Sequence, residues 1–162
     1  MIFLTVGTQL PFDRMVKTVD DWAGLRGRQD VFAQIGPTEL TPRHLQWSRF
    51  VEAEDFMRRV EEAELLVAHA GMGSIITALE RGKPILVMPR RADLGEHRND
   101  HQMATAERLL AQGRIAVAFD EMELLAKLDD IASLKARGRI SSEASPELIA
   151  AIRGFICGER TP

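Results

Sequence analysis

The chain has one cysteine, Cys157, among its 162 residues. That excludes an internal disulfide, fits a reducing compartment, and leaves Cys157 as a small apolar residue on the last helix. No apolar run approaches the ~20 residues that a membrane-spanning helix needs. Neither sign of charge is in surplus: 21 basic against 24 acidic residues gives a net charge of −3. The general electrostatic case for nucleic-acid binding falls away with it. Met1-Ile2-Phe3-Leu4-Thr5-Val6-Gly7 has no basic leader and no cleavage site. It reads as a first strand, and the expected location is the cytoplasm. The turn after it, Gly7-Thr8-Gln9-Leu10-Pro11, does not supply Gly-x-Gly-x-x-Gly. A dinucleotide-binding or flavodoxin-like protein would want that motif there. Internal repeats and low-complexity segments are absent.

What is present is ordinary for a soluble domain, with 45% hydrophobic and 28% charged residues. The length suits one domain with a full core. Short apolar runs at 2–6, 30–35, 65–68, 85–88 and 115–119 read as strands, with a further short one expected at 49–53. Phe12, Met15, Val16, Val19 and Trp22 repeat at helical spacing over 11–22. Further helices are expected at 55–63, 98–112, 121–134 and 146–156, before a frayed tail at 158–162. Residues 37–46 read as a polar loop. Strands alternating with helices across short connections predict an α/β, Rossmann-like domain, a parallel sheet flanked by helices.

One segment carries most of the chemistry, the run from His69 through Gly71-Met72-Gly73-Ser74 to Glu80 and Gly82-Lys83-Pro84. It lies between two apolar runs, so the layout is strand, glycine turn, helix, glycine, strand. Gly71 and Gly73 are expected to take positive φ and to let the backbone approach a phosphate. Ser74 is expected to cap the helix, where free amides and the helix dipole favour negative charge. Gly73, Thr77 and Glu80 share one helix face, and Ile75, Ile76, Ala78 and Leu79 fill the rest with apolar bulk. Glu80, two turns below the cradle, is poorly placed for phosphate and well placed to accept hydrogen bonds from a ribose diol. The pattern points to a nucleoside-diphosphate site.

The same residues carry a family resemblance. His69 to Ser74, Glu80, Gly82-Lys83-Pro84, Pro89 and His101-Gln102 resemble the donor-binding signature of nucleotide-sugar glycosyltransferases of the two-domain GT-B fold. In particular, they resemble the glycosyltransferase family 28 C-terminal domain. Thr5 to Asp13 is similar to the start of the small single-domain members. These include the catalytic subunit of the two-subunit N-acetylglucosaminyltransferase of N-glycan assembly and bacterial exopolysaccharide glycosyltransferase subunits. The resemblance covers roughly residues 1 to 120. It implies a donor-binding half that uses a UDP-sugar, by an inverting reaction that needs no metal and no cofactor. Consistent with that, the chain has no Asp-x-Asp, the metal-holding motif of the other major glycosyltransferase fold.

The resemblance also distributes roles. Gly7 and Thr8 would face the donor diphosphate across a cleft from His69, Gly71, Met72, Gly73 and Ser74. Glu80 would bind ribose, main chain near Val51 would read the base, and His101 with Gln102 would face the sugar. Residue chemistry leaves several of these open. Gly7-Thr8-Gln9 is also a plain turn, and His69 also reads as a satisfied core histidine. Arg90, Arg91 and Arg98 either add positive charge near the diphosphate, face a partner, or form a solvated loop. His97 and His101 are spaced i and i+4 on an expected helix face, but lack the glutamate and cysteine company of a zinc site. Asp13 is left structural, favoured at a helix N-terminus.

An oriented general base is missing from this pattern. Two Rossmann-like domains need roughly 300 residues, and this chain has 162; the resemblance to the small members implies a separate, membrane-associated subunit that brings a lipid-linked acceptor. The chain would then reach the inner face of the membrane only through that partner, with its cleft rim at 7–10, 69–72 and 90–101 exposed. The alternative is a non-catalytic accessory module that binds nucleotide sugars. The apolar stripe of Leu148, Ile149, Ile152, Phe155 and Ile156 docks either on its own sheet or on the partner.

Overall fold

The protein is seen in a computed structural model that describes residues 1–136, 139–140 and 150. Six strands form one sheet: β1 Ile2–Thr5, β2 Val31–Gln34, β3 Gln46–Ser48, β4 Leu65–His69, β5 Ile85–Met88 and β6 Ala116–Val117. Their order is β3-β2-β1-β4-β5-β6, and every pairing is parallel. The helices are α1 Asp13–Arg26, α2 Ala53–Glu62, α3 Met72–Glu80, α4 His101–Ala111 and α5 Glu121–Asp129, followed by a 3₁₀ turn at Ile131–Ser133.

Strand alternation explains why the central strands are apolar throughout. Ile2, Leu4, Val31, Ala33, Leu65, Val67, Leu86 and Met88 point to one face, against Met15, Val16, Val19 and Trp22 of α1 and Leu124 and Leu128 of α5. Phe3, Leu66, Ala68, Ile85 and Val87 point to the other, against Val60 of α2, Ile75, Ala78 and Leu79 of α3 and Ala106 of α4. A strand buried on both faces has no room for a polar alternation. The sheet is thus the middle of three layers, and the expected doubly wound α/β class is what is found. From β1 the chain winds outward through β2 to β3, then returns to β4 and winds the other way. Strand order therefore reverses between β1 and β4, where such sheets open a crevice at their C-terminal ends.

Element boundaries differ from expectation where caps or long-range contacts decide them. α1 runs four residues past Trp22, because the stop signal is Gly27, left-handed at φ 63°, with the Arg28 amide bonded to Ala23 O at 2.9 Å. The edge strand lies at Gln46–Ser48, before the expected 49–53, paired with Phe32 to Gln34 of β2. Its register is set from outside: the Asp20 carboxylate on α1 accepts from the amides of Arg43, His44 and Leu45. α2 begins two residues earlier than expected, at Ala53, and α4 begins at His101 instead of 98. The residues before α4 are held as a loop by Glu96 and Asp100, whose carboxylates accept from the amides of Arg91 and Ala92. β6 is shorter than the expected 115–119, and the helix expected over 121–134 breaks after Asp129. The helix expected at 146–156, its apolar stripe, Cys157 and the tail lie outside the described residues, apart from Ala150.

Candidate functional site

Three segments meet beyond the C-terminal ends of β1, β4 and β5 and enclose a cavity of about 340 Å³. Gly7 to Leu10 come from the loop after β1, and His69, Gly71, Gly73 and Ser74 from the turn into α3. Arg90, His97, His101 and Gln102 come from the segment between β5 and α4. Among the described residues the lining contains no carboxylate. Three of the chain's four histidines stand in it.

The glycine turn works differently from its expected mechanism. Neither Gly71, at φ −85°, nor Gly73 takes positive φ. What Gly71 supplies is space: a Cβ there would lie 2.1 Å from His69 Nε2. Gly7 does the same on the other side of that ring, at φ 77°, with its Cβ position 2.9 Å from His69 Cε1. The imidazole therefore lies in a slot between two glycines. Around Gly73 nothing lies within 4 Å of a Cβ position, so that side faces the open cavity. Ser74 is not the cap. Gly71 is, and Ser74 is the third residue of the helix, with no side-chain cap bond. The first bond of the helix ladder runs from the Ile75 amide to Gly71 O, leaving the amides of Met72, Gly73 and Ser74 outside it. Free amides at the positive end of a helix dipole are an anion cradle.

His69 is half-buried at the end of β4, with its Nδ1 turned into the protein. Desolvation, reinforced by the charge of Arg90, pushes its pKa down to about 4, against a smaller opposing effect of the Thr5 main chain. Its Nδ1 is buried without a hydrogen-bond partner. The ring is neutral near pH 7, so the unfolded chain takes up a proton first as pH falls. His69 should leave stability intact above pH 6.5 and remove it progressively between 6.5 and about 4. At about 1.4 kcal/mol per pH unit the loss is of the order of 3 kcal/mol. Urea midpoints across this window should fall for the wild type and fall less for His69→Gln. Parallel slopes would contradict a neutral, desolvated ring.

The loop between β5 and α4 is pinned by contacts across the fold. Glu96 is bound through both oxygens by Arg14 of α1, at 2.6 and 2.7 Å. Arg14 also reaches Glu121 at 3.2 Å. Arg91 pairs with Asp93, and Arg98 is exposed, so these two are the solvated arginines of the segment. Arg90 is not: it is 3% exposed. His97 lies in this loop and not on a helix face, yet its ring meets His101 edge-on at a 4.5 Å centroid distance. Gln102 is 4% exposed and accepts from the Arg90 amide at 3.1 Å. Among the described residues no three His, Cys, Asp or Glu side chains are grouped as a metal site.

Three residues given roles from the sequence do not line the cavity. Met72, 49% exposed, contributes only its position at the start of α3. Glu80 is half-buried at the far end of α3, seven residues from Gly73 and therefore roughly 10 Å along the axis. Its carbonyl accepts from Arg139 Nε at 2.6 Å. Val51 is half-buried just beyond β3, two strands away from β1. Ile76, expected as apolar filling, is 39% exposed on α3. The rim is mixed: Thr8, Gln9, Leu10 and Met72 are exposed, Ala70 and Arg90 buried. Asp13 accepts from the Thr38 hydroxyl at 2.5 Å, in keeping with a structural role.

Sheet and cavity together define an open, doubly wound α/β domain with a cavity at its topological switch point. The chain belongs to the glycosyltransferase family 28 C-terminal domain, whose model matches residues 1–148. The human UDP-N-acetylglucosamine transferase subunit ALG13 is 28% identical to it over 124 residues, which are 70% of this chain and 10% of that protein. The subunit of the same name from Cryptococcus neoformans is 39% identical over 69 residues, or 41% of this chain and 32% of that protein. The chain thus spans a third or less of these relatives. Two solved structures share its fold. The NMR solution structure of ALG13 has a TM-score of 0.60 at 17% identity, covering 95% of this chain and 93% of that one. MurG from Acinetobacter baumannii has a TM-score of 0.59 at 19% identity, covering 96% of this chain and 49% of that one. The fold is that of the C-terminal half of GT-B glycosyltransferases.

Proposed function

We propose that this chain is the donor-binding, catalytic subunit of an inverting, metal-independent glycosyltransferase, a hexosyltransferase active only with a partner subunit. It takes a UDP-sugar and serves a lipid-linked acceptor brought by a separate membrane-associated subunit, in polysaccharide or glycan biosynthesis. The observation that carries the reading is the cavity at the β1/β4 switch point. Its wall joins free helix amides, a buried arginine and three histidines, without one carboxylate among the described residues. Such a wall suits an anion whose charge grows as a glycosidic bond to diphosphate breaks, because fixed dipoles need no reorganisation to stabilise it.

In this reading Gly7, Thr8, His69, Gly71, Met72, Gly73 and Ser74 hold the diphosphate, Met72 through its main chain. His101 and Gln102 face the sugar, main chain at Val51 reads uracil, and Glu80 binds ribose. No cofactor takes part, and neither nucleic acid nor direct membrane contact is involved. The chain stays cytoplasmic, recruited to the inner face of the membrane by its partner. The acceptor hydroxyl needs a base. His69 is a poor one at a pKa of about 4 in its glycine slot, so proton removal falls to the partner's side. The carboxylate-free lining also favours a second reading, a nucleotide-sugar-binding accessory module without catalysis.

Thermal stabilisation by a panel of UDP-, GDP- and dTDP-sugars tests the donor. UDP-sugars should raise the melting temperature, and indifference to all of them would overturn both readings. Transfer to a lipid-linked acceptor, absent alone and present with the partner, separates enzyme subunit from accessory module. Glu80→Ala should weaken UDP binding by about tenfold or more, from the loss of a charged hydrogen bond worth about 1.5–3 kcal/mol. Its folding should be unaffected, and superimposable UDP titrations would remove the ribose assignment.

A further inference from the structure

Among the described residues Arg90 is the one arginine or lysine in the cavity wall, and it lies almost out of reach of solvent. Its guanidinium turns back beneath the loop after β1. There Nη2 donates to the carbonyl oxygens of Val6 at 2.9 Å and Leu10 at 2.7 Å. The charge stands 5.2 Å from the centre of the Phe12 ring, and Nε is buried without a partner. Gln102 holds the Arg90 amide from the start of α4. One residue thus ties together all but the glycine-turn side of the cavity. No carboxylate among the described residues forms an ion pair with it. Glu96 is the acidic group whose charge reaches it, and Glu96 is already bound through both oxygens by Arg14.

A buried cation without a counter-ion costs several kcal/mol. A neutral side chain would tie the loop to the end of β5 without that penalty, so loop anchoring alone does not account for an arginine here. Arg90 lines the cavity together with Gly73 and Ser74, which carry two of the free amides of α3. We infer that Arg90 is the fixed counter-charge of the donor diphosphate, and that it positions the Gly7 to Leu10 loop around that anion. The inference rests on the donor-site reading and adds a residue to it. Arg90 acts partly through the loop carbonyls it grips, as a positioning residue, and partly through its field. The same field helps keep His69 neutral. A neutral His69 can meet the diphosphate as hydrogen-bond donor without adding a second buried charge.

The test is calorimetric titration of wild type, Arg90→Met and Arg90→Lys with three probes: UDP, uridine and inorganic pyrophosphate. Arg90→Met should lose about tenfold or more in affinity for UDP and pyrophosphate, as expected for removing a charged contact. Its uridine affinity should change little. Arg90→Lys keeps the charge and gives up part of the grip on the loop, and it should retain most of the pyrophosphate affinity. An arginine that only scaffolds the loop predicts equal losses for uridine and UDP, and equal losses for Lys and Met. Either pattern overturns the inference. If Arg90→Met does not fold, Arg90→Lys alone decides, because a scaffold role predicts that it loses pyrophosphate and uridine together. Wild type binding pyrophosphate but not UDP would sink the donor reading and leave Arg90 to be judged on pyrophosphate. Wild type binding UDP no better than Arg90→Met does would sink the Arg90 inference alone. Wild type binding neither would sink both.

Discussion

Asp20→Ala should lower folding stability by about 3–4 kcal/mol, seen as a fall in the urea midpoint at unchanged slope. Asp20 is buried in α1, and its carboxylate accepts from three consecutive amides. Oδ1 takes Arg43, His44 and Leu45 at 3.1, 2.8 and 3.1 Å, and Oδ2 takes Arg43 at 2.9 Å. Hydrogen bonds to a charged acceptor are worth about 1.5–3 kcal/mol, and a buried amide left unpaired costs a further 1–3, roughly. Arg43 and His44 are exposed, so water can replace the carboxylate there. At Leu45, 7% exposed, it cannot. The contact also sets the approach to β3, so its loss should loosen the edge strand first. Asp20→Asn keeps Oδ1 but turns an amide NH₂ toward the Arg43 N–H, and should fall between alanine and wild type. A wild-type midpoint for Asp20→Ala would mean that the 43–45 segment is held by something else.

Asp20 also shows what a sequence does not display. Aspartate inside a helical apolar stripe reads as a solvated residue, and its three partners lie more than twenty positions away. Nothing in local spacing joins them. Misplacing β3 at 49–53 followed directly, because the anchor that decides where extension begins was invisible. The same holds at the site. His69, Gly71, Gly73 and Ser74 were legible because a βα turn places them within six residues of one another. Gly7 and Thr8 were legible because strand ends in a parallel sheet share one edge. Arg14 and Glu96 are 82 residues apart and belong to no motif, so the clamp on the β5–α4 loop had no signal. Arg90 was one of three arginines with equal standing, and its burial, its bonds to Val6 and Leu10 and its place in the cavity wall separate it from Arg91 and Arg98. The glycine turn was recognised for two reasons, of which positive φ is mistaken. Spacing indicated that glycine was needed, while positive φ was the wrong cause, because the ring of His69 is what excludes a side chain at Gly71.

That cause carries the second large effect. Gly71→Ala should lower UDP affinity by about a hundredfold or more, equivalent to about 2.8 kcal/mol. It should also cost about 1–3 kcal/mol of stability, the usual penalty for overpacking. The new Cβ would stand 2.1 Å from His69 Nε2 and 2.9 Å from Cδ2 and Cε1, well inside contact distance. The ring has no easy retreat, since Gly7 closes the other side of the slot. Relief then has to come from a shift of α3's first turn, and that turn carries the free amides of Met72, Gly73 and Ser74, the last two residues lining the cavity. Gly73→Ala, by contrast, adds a methyl to open space and should leave stability nearly unchanged while crowding any anion in the cradle. A double-mutant cycle isolates the cause. In a His69→Ala background the ring is gone, so adding Gly71→Ala should cost far less stability than it does in the wild type. Additive losses in that cycle would show that the clash with His69 is not what makes Gly71 necessary.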